Sequence, residues 1–232
     1  MIAFVIFRDR VSYARRCIDA LYDARLDVVI VDHDSAWPSA LDLLDRARRL
    51  PALHDGTPRL VRDTNRHPRD LWRLGGPIGA AVGPGERFIV TDCDVVPDEG
   101  CPGDWPALLG ELLDRFPNVA KAGLGLRIDD LPDHFAHKAR VIEWETGVLD
   151  GVYAEGRARR GDIDTTLAMY RRYEPFALGP ALRTVAPYMA RHLPWYEDTA
   201  NPTPEQAFYR KYAEYGHWRD PDGYADTHNL EA

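Results

Sequence analysis

The sequence predicts an α/β fold with a mixed sheet, mostly parallel in its N-terminal half and flanked by helices. Three observations predict it. Short apolar runs alternate with helical patterns through residues 2–90, the order that builds parallel strands with crossover helices. The runs are apolar at nearly every position, as strands buried on both faces are. Each run then ends in polar residues, and parallel strands bring such ends to one edge of the sheet, where α/β proteins bind ligands.

The elements follow in order. Residues 2–7 form a continuous apolar run, read as a first strand. Residues 12–22 place Tyr13, Cys17, Ile18 and Leu21 at helical spacing. Residues 28–31 are a second strand ending at Asp32. Residues 38–50 follow as a helix, with Pro38 suited to the first turn. Residues 59–61 are a third strand, 71–82 a glycine-interrupted helical stretch, and 88–90 a fourth strand. Beyond it, residues 104–116 read as a helix with Asp104 as N-cap and Pro117 past its end. Residues 121–128 read as a strand that Gly123 and Gly125 weaken. Residues 165–170 are a further strand and 204–215 a last helix before a polar tail.

The chain has 232 residues, which predicts a single domain, 1–232, able to bury about 70–75% of its unfolded surface without disulfides. Its three cysteines, Cys17, Cys93 and Cys101, show no framework spacing and suggest a reducing compartment. The net charge of −8 argues against nucleic acid as a partner, which calls for a basic face. The apolar run at 2–7 is too short for a signal or a membrane span, and no later segment is long enough. A cytoplasmic protein without an integral membrane segment is therefore expected.

The polar strand ends carry the chemistry. Strand one ends at Arg8-Asp9-Arg10, strand two at Asp32-His33-Asp34-Ser35, strand three at Asp63-Thr64-Asn65-Arg66, and strand four at Asp92-Cys93-Asp94. Two carboxylates one residue apart after a buried strand repel each other unless a cation is present. Oxygen ligands of this kind suit Mg²⁺ or Mn²⁺, which can then neutralise a diphosphate. Asp94 is the expected ligand, with Asp92 joining it or reaching a ribose. Asp32 suits a base or ribose, and Arg8 and Arg66 suit phosphate. Each has a plainer reading as well: Asp32 and Asp34 form turns, and Arg8 with Asp9 makes a surface pair.

These residues resemble a family. Phe4-Val-Ile-Phe-Arg-Asp-Arg, Val29-Ile-Val-Asp-His-Asp-Ser, Asn65 and Phe88-Ile-Val-Thr-Asp-Cys-Asp look like the donor half of a GT-A glycosyltransferase of the family 2 type. There the second strand carries Val-Asp-Asn-Gly-Ser; Asp32 matches its aspartate, and His33-Asp34 departs from Asn-Gly. Asp92-Cys93-Asp94 matches the Asp-X-Asp metal motif. The resemblance covers residues 2–98. It implies a GT-A-type (Rossmann-like) sheet and a nucleoside-diphosphate sugar donor. It also implies Mn²⁺ or Mg²⁺, a nucleotide-sugar half at 1–98 and an acceptor half at 99–232. The acceptor itself, whether saccharide, lipid-linked or a small molecule, is not specified. Ile128-Asp-Asp-Leu-Pro-Asp-His and Arg191-His-Leu-Pro-Trp-Tyr look like segments of bacterial glycosyltransferase-like proteins.

The resemblance also implies a late histidine that completes the metal site. His192 is the first candidate and His217 the second; His134 and His137 read as a solvated face. Inverting transfer needs a base for the acceptor hydroxyl. Asp130, Glu145 and Asp164 are the candidates, Asp130 the favoured one. Asp129 and Asp130 before Pro132 also suit a plain turn. Trp144, Trp195 and Tyr196 suit stacking on a sugar or ordinary packing. Two other classes compete. A sugar nucleotidylyltransferase would carry glycine after strand one, where Arg8-Asp-Arg-Val-Ser has none. A non-catalytic nucleotide-binding module would have less reason to keep Asp92 and Asp94. Retaining transfer stays open, since it needs no such base.

Overall fold

The computed structural model describes residues 1–53, 56–63, 71–72, 76–147, 149–173 and 175–212. The predicted class holds: a large mixed sheet flanked by helices. Its first half runs β1 (Ile2–Phe7), α1 (Val11–Asp23), β2 (Asp27–His33), α2 (Pro38–Arg48), β3 (Leu60–Asp63), α3 (Pro77–Ala81) and β4 (Phe88–Asp92). The second runs β5 (Val95–Pro97), α4 (Trp105–Arg115), β6 (Lys121–Gly123), β7 (Gly125–Leu126), α5 (Lys138–Gly147), β8 (Leu149–Tyr153), β9 (Ala158–Gly161), β10 (Ala168–Tyr170), β11 (Ala181–Thr184), β12 (Met189–His192) and α6 (Pro204–Tyr212). Among the described residues, no helix is long and apolar enough to cross a membrane.

Nine strands form the main sheet in the order β3-β2-β1-β4-β10-β6-β11-β9-β8. The first four are parallel, as their apolar runs predict. Alternate residues of β1 fill opposite faces: Ala3, Val5 and Phe7 pack with α1 and α4, whereas Phe4 and Ile6 pack with Trp72, Ile78 and Phe88. Period-2 alternation on a sheet covered on both sides accounts for the unbroken hydrophobicity. β10 then enters antiparallel beside β4 and makes the sheet mixed.

Residues 121–128 do not form one strand. β6 belongs to the main sheet, but β7 belongs to a three-stranded sheet, β5-β12-β7. The chain changes sheet at Leu124. The glycines on either side permit this by close backbone approach: a Cβ at Gly123 would lie 2.7 Å from the Leu167 carbonyl, and one at Gly125 2.3 Å from that of Thr184. Neither carbonyl can yield without moving a strand. Gly125→Ala is expected to cost about 1–3 kcal/mol, as overpacking does, read from urea denaturation.

Other expectations shift at their edges. Asp104 stands at the N-cap of α4 but makes no side-chain cap among the described residues; its carboxylate accepts from the Tyr188 hydroxyl instead, at 3.0 Å. The strand predicted at 165–170 begins at Ala168, because Asp164 turns the chain by accepting the Thr166 N–H at 3.1 Å. Of the helix predicted at 71–82, α3 is the helical part. His134 and His137 lie just before α5 rather than on it.

Candidate active site

The parallel strands deliver their polar ends to one edge. Asp92 closes β4, and the backbone holds it on two sides. Its N–H donates to the Thr165 carbonyl at 2.9 Å, and the Cys93 N–H donates to the Ile6 carbonyl at 3.0 Å. Thr165 Oγ1 donates to Asp92 Oδ2 at 2.8 Å. Burial, then the charges of Asp94 and Asp164, push the Asp92 carboxyl well above its usual range.

Asp94 is placed by the small sheet. β12 pairs antiparallel with β5, His192 opposite Val95, and the Leu193 N–H donates to the Asp94 carbonyl at 2.8 Å. This register sets the His192 ring beside Asp94, with Nε2 3.4 Å from Oδ1. The other oxygen, Oδ2, accepts from Arg10. Burial works to raise the Asp94 carboxyl, but His192 and Arg10 outweigh it and hold the group well below the usual carboxylate range. His192 and Arg10 thus favour the charged form of Asp94, whereas burial and the neighbouring charges work against the charged form of Asp92.

The donor chemistry fits a divalent cation at Asp94 and His192. Oδ1 of Asp94 is buried and accepts no hydrogen bond among the described residues. A carboxylate oxygen and an imidazole nitrogen that share one ion at about 2.1 Å each stand roughly 3–3.5 Å apart, the separation seen here. Among the described residues, however, no three His, Cys, Asp or Glu side chains are gathered closely enough to hold a metal. Asp92, engaged by Thr165, is the group that would have to turn inward.

Two further carboxylates share this neighbourhood. Glu145 on α5 is buried and accepts from Arg183 Nη1 of β11 at 2.6 Å. Burial raises its carboxyl, opposed by Arg183 and by His192. Asp164 raises both Asp92 and Glu145 by its charge, so these groups lie in one electrostatic field. Asp130 belongs elsewhere. It accepts from the Tyr196 hydroxyl at 2.6 Å and from Arg191 at 2.5 Å, and Arg191 and Arg127 also hold Asp98. Burial would raise Asp130, yet the bonds from Tyr196 and Arg191 leave it lowered.

The nucleoside candidates are engaged by protein. Asp32 is fully buried; its oxygens accept the Ser35 N–H at 3.1 Å and Arg62 Nε at 2.8 Å. The turn that its sequence suggests is thus made, and an ion pair with Arg62 is added to it. Arg8 donates from Nη2 to the Tyr212 carbonyl at 2.9 Å. Asn65, Arg66 and His217 lie outside the described residues.

Sequence reasoning missed four participants. Asp9, at φ 56°, accepts the N–H groups of Ala36 and Trp37 at 2.7 Å each and ties the end of β1 to the loop before α2; an aspartate tolerates that left-handed conformation. Thr165 and Arg183 gave no local signal. The fourth is α6, which lies across the end of β1. Glu205 accepts the N–H of Val11 at 3.1 Å, and the N–H and hydroxyl of Ser12 at 3.2 and 2.5 Å, capping α1 from far along the chain. Phe208 packs on Trp37 with ring centroids 5.0 Å apart, and the Tyr209 ring lies 3.8 Å from the Arg10 guanidinium.

No family model matches the sequence, and no curated protein matches it. Some solved structures resemble it at a distance. One is the mannosyltransferase PcManGT from Pyrobaculum calidifontis, in complex with GDP-Man and Mn²⁺. It is 17% identical with a TM-score of 0.49, over 90% of this chain and 59% of that one. A second is GalNAc-T7 with UDP, GalNAc and Mn²⁺, 13% identical with a TM-score of 0.48, over 82% of this chain and 43% of that one. A third is S. aureus TarS 1–349, 12% identical with a TM-score of 0.39, over 73% of this chain and 46% of that one. The chain thus spans about half the length of these proteins.

Proposed function

We propose that the protein is a glycosyltransferase that takes a sugar from a nucleoside-diphosphate donor with the help of Mn²⁺ or Mg²⁺. The observation that carries this reading is the meeting of Asp94 and His192. They are far apart in sequence, and the pairing of β12 with β5 sets them 3.4 Å apart beside the end of β4. Asp94 and His192 would hold the cation, with Asp92 as third ligand. The bound cation supplies Lewis-acid stabilisation of the leaving diphosphate.

The chain's own groups do the rest. The ends of β1 and β2 receive the nucleoside, with Asp32 at their centre, and residues 99–232 supply the acceptor side. Glu145 is the best-suited base for the acceptor hydroxyl in an inverting transfer. Burial raises its carboxyl, and a base works best when its pKa approaches the working pH. Asp130, ion-paired and lowered, is a weaker base, and Asp164 serves by setting the field around Asp92 and Glu145.

Calorimetric titration of the full chain with UDP and GDP, with and without Mn²⁺, tests this reading. The expected result is diphosphate binding that depends on Mn²⁺. Absence of binding by either nucleotide, with or without the metal, overturns it.

A further inference from the structure

A diphosphate can meet arginine as well as a metal, and the sequence points to Arg8 and Arg66 for that part; Arg66 lies outside the described residues. The structure turns Arg8 away, toward the Tyr212 carbonyl of α6. Arg10 stands in its place. It stands at the N-cap of α1, three residues past β1, its Nη1 donates to Asp94 Oδ2, and its side chain keeps 15% of its surface open.

We propose that Arg10 is a diphosphate-binding residue of this site and that Tyr209 of α6 is the residue that positions it. The inference rests on the transferase reading above. Asp94 divides its two oxygens, Oδ2 to Arg10 and Oδ1 to the position facing His192. A phosphate drawn to a cation on Oδ1 therefore arrives beside the guanidinium on Oδ2. A guanidinium has five N–H donors in one plane. Asp94 engages one edge, and the Tyr209 ring covers a face at 3.8 Å, with Tyr13 at 5.9 Å. Edge donors are the ones that meet phosphate, in the planar geometry that favours arginine over lysine.

The charges around Arg10 agree with this role. Besides Asp94, the carboxylate whose charge acts on Arg10 is Glu197, and it is engaged by other groups, accepting from Tyr13 at 2.7 Å and Arg210 at 2.9 Å. Arg10 is thus left to Asp94 and to an incoming anion. Contacts that hold α6 in place include Glu205 on the start of α1, Phe208 on Trp37, and Gln206 donating to the Tyr13 hydroxyl at 3.0 Å.

The test is calorimetric titration of full-length variants with UDP, GDP, uridine, guanosine and Mn²⁺ alone. Arg10→Ala is expected to weaken Mn²⁺-dependent diphosphate binding by about 10- to 100-fold, the worth of charge-assisted hydrogen bonds. It should leave binding of the matching nucleoside and of Mn²⁺ alone no weaker than in the wild type. Arg10→Lys should recover only a small part. Tyr209→Ala, which keeps Arg10 and Asp94, should weaken diphosphate binding several-fold, and Tyr209→Phe should restore it; this pair decides the matter if Arg10→Ala does not fold. Wild-type diphosphate affinity in Arg10→Ala, or in Tyr209→Ala, overturns the inference and leaves the transferase reading intact. A wild-type protein that binds no nucleoside diphosphate overturns both.

Discussion

Asp94→Asn is expected to lower Mn²⁺-dependent hydrolysis of the protein's nucleoside-diphosphate sugar by at least about 100-fold. Loss of a group one step removed from a metal costs about 10–100-fold, and Asp94 is proposed as a direct ligand. The replacement keeps the shape and removes the charge. Its amide oxygen can still accept from Arg10, as Oδ2 does now. The NH₂ group then faces His192 Nε2 across the 3.4 Å gap. A donor pair becomes one donor and one repelling N–H, and the cation position is lost. Mn²⁺ titration followed by electron paramagnetic resonance should show the same loss without any sugar nucleotide. A panel of UDP- and GDP-sugars supplies the hydrolysis readout, and a thermal melt confirms that the variant folds with a neutral partner for Arg10. Full activity together with unchanged Mn²⁺ affinity in the folded variant would sink the metal assignment.

The edge that carries this site was legible in the sequence because parallel strands announce themselves. β1, β2 and β4 are buried on both faces, so each reads as an apolar run whose polar ending stands out. His192 came from a motif rather than from periodicity. The second half was harder for identifiable reasons. β8 is the edge strand and β9 its neighbour, both with much of their surface exposed, and Arg159 and Arg160 are exposed where a buried strand would be apolar. α5 has buried residues only at Val141 and Glu145, so it shows little apolar stripe. β6 and β7 looked like one strand because nothing local shows that the backbone of Leu167 and Thr184 will press on Gly123 and Gly125.

Partnerships were less legible than positions. Asp130 closes a polar run much as Asp94 does, and only the fold shows that Arg191 and Tyr196 claim it. The sequence favours Arg8 over Arg10 for phosphate; α6 reverses that order by offering a carbonyl to Arg8 and an aromatic ring to Arg10. Glu145 ranks behind Asp130 in the sequence, where nothing local shows that Arg183 lies beside it.

That pair carries the second large effect. Arg183→Met is expected to destabilise the protein by about 3–5 kcal/mol, the usual cost of leaving one partner of a buried ion pair alone. For a chain of this length that lowers the melting temperature by roughly 6–20 °C. Both side chains are more than nine-tenths buried, and Arg183 also donates to the Asp162 carbonyl at 2.8 Å, so water cannot readily replace what is lost. The pH dependence identifies the cause. Burial already raises the Glu145 carboxyl in the folded protein, and removing Arg183 raises it further. A carboxyl raised on folding binds more protons in the folded state than in the unfolded one, so stability falls as pH rises from the unfolded glutamate range, about 4.3, through the folded value. The penalty of Arg183→Met should therefore be larger at pH 8 than at pH 5 in urea denaturation. Adding Glu145→Gln removes the stranded charge, and the double variant should recover part of the loss and all of the added pH dependence. Equal penalties at the two pH values would mean that packing, not the ion pair, is what Arg183 contributes. Glu145→Gln alone separates folding from chemistry: if Glu145 is the base, this variant keeps Mn²⁺-dependent diphosphate binding while sugar transfer to the acceptor is lost.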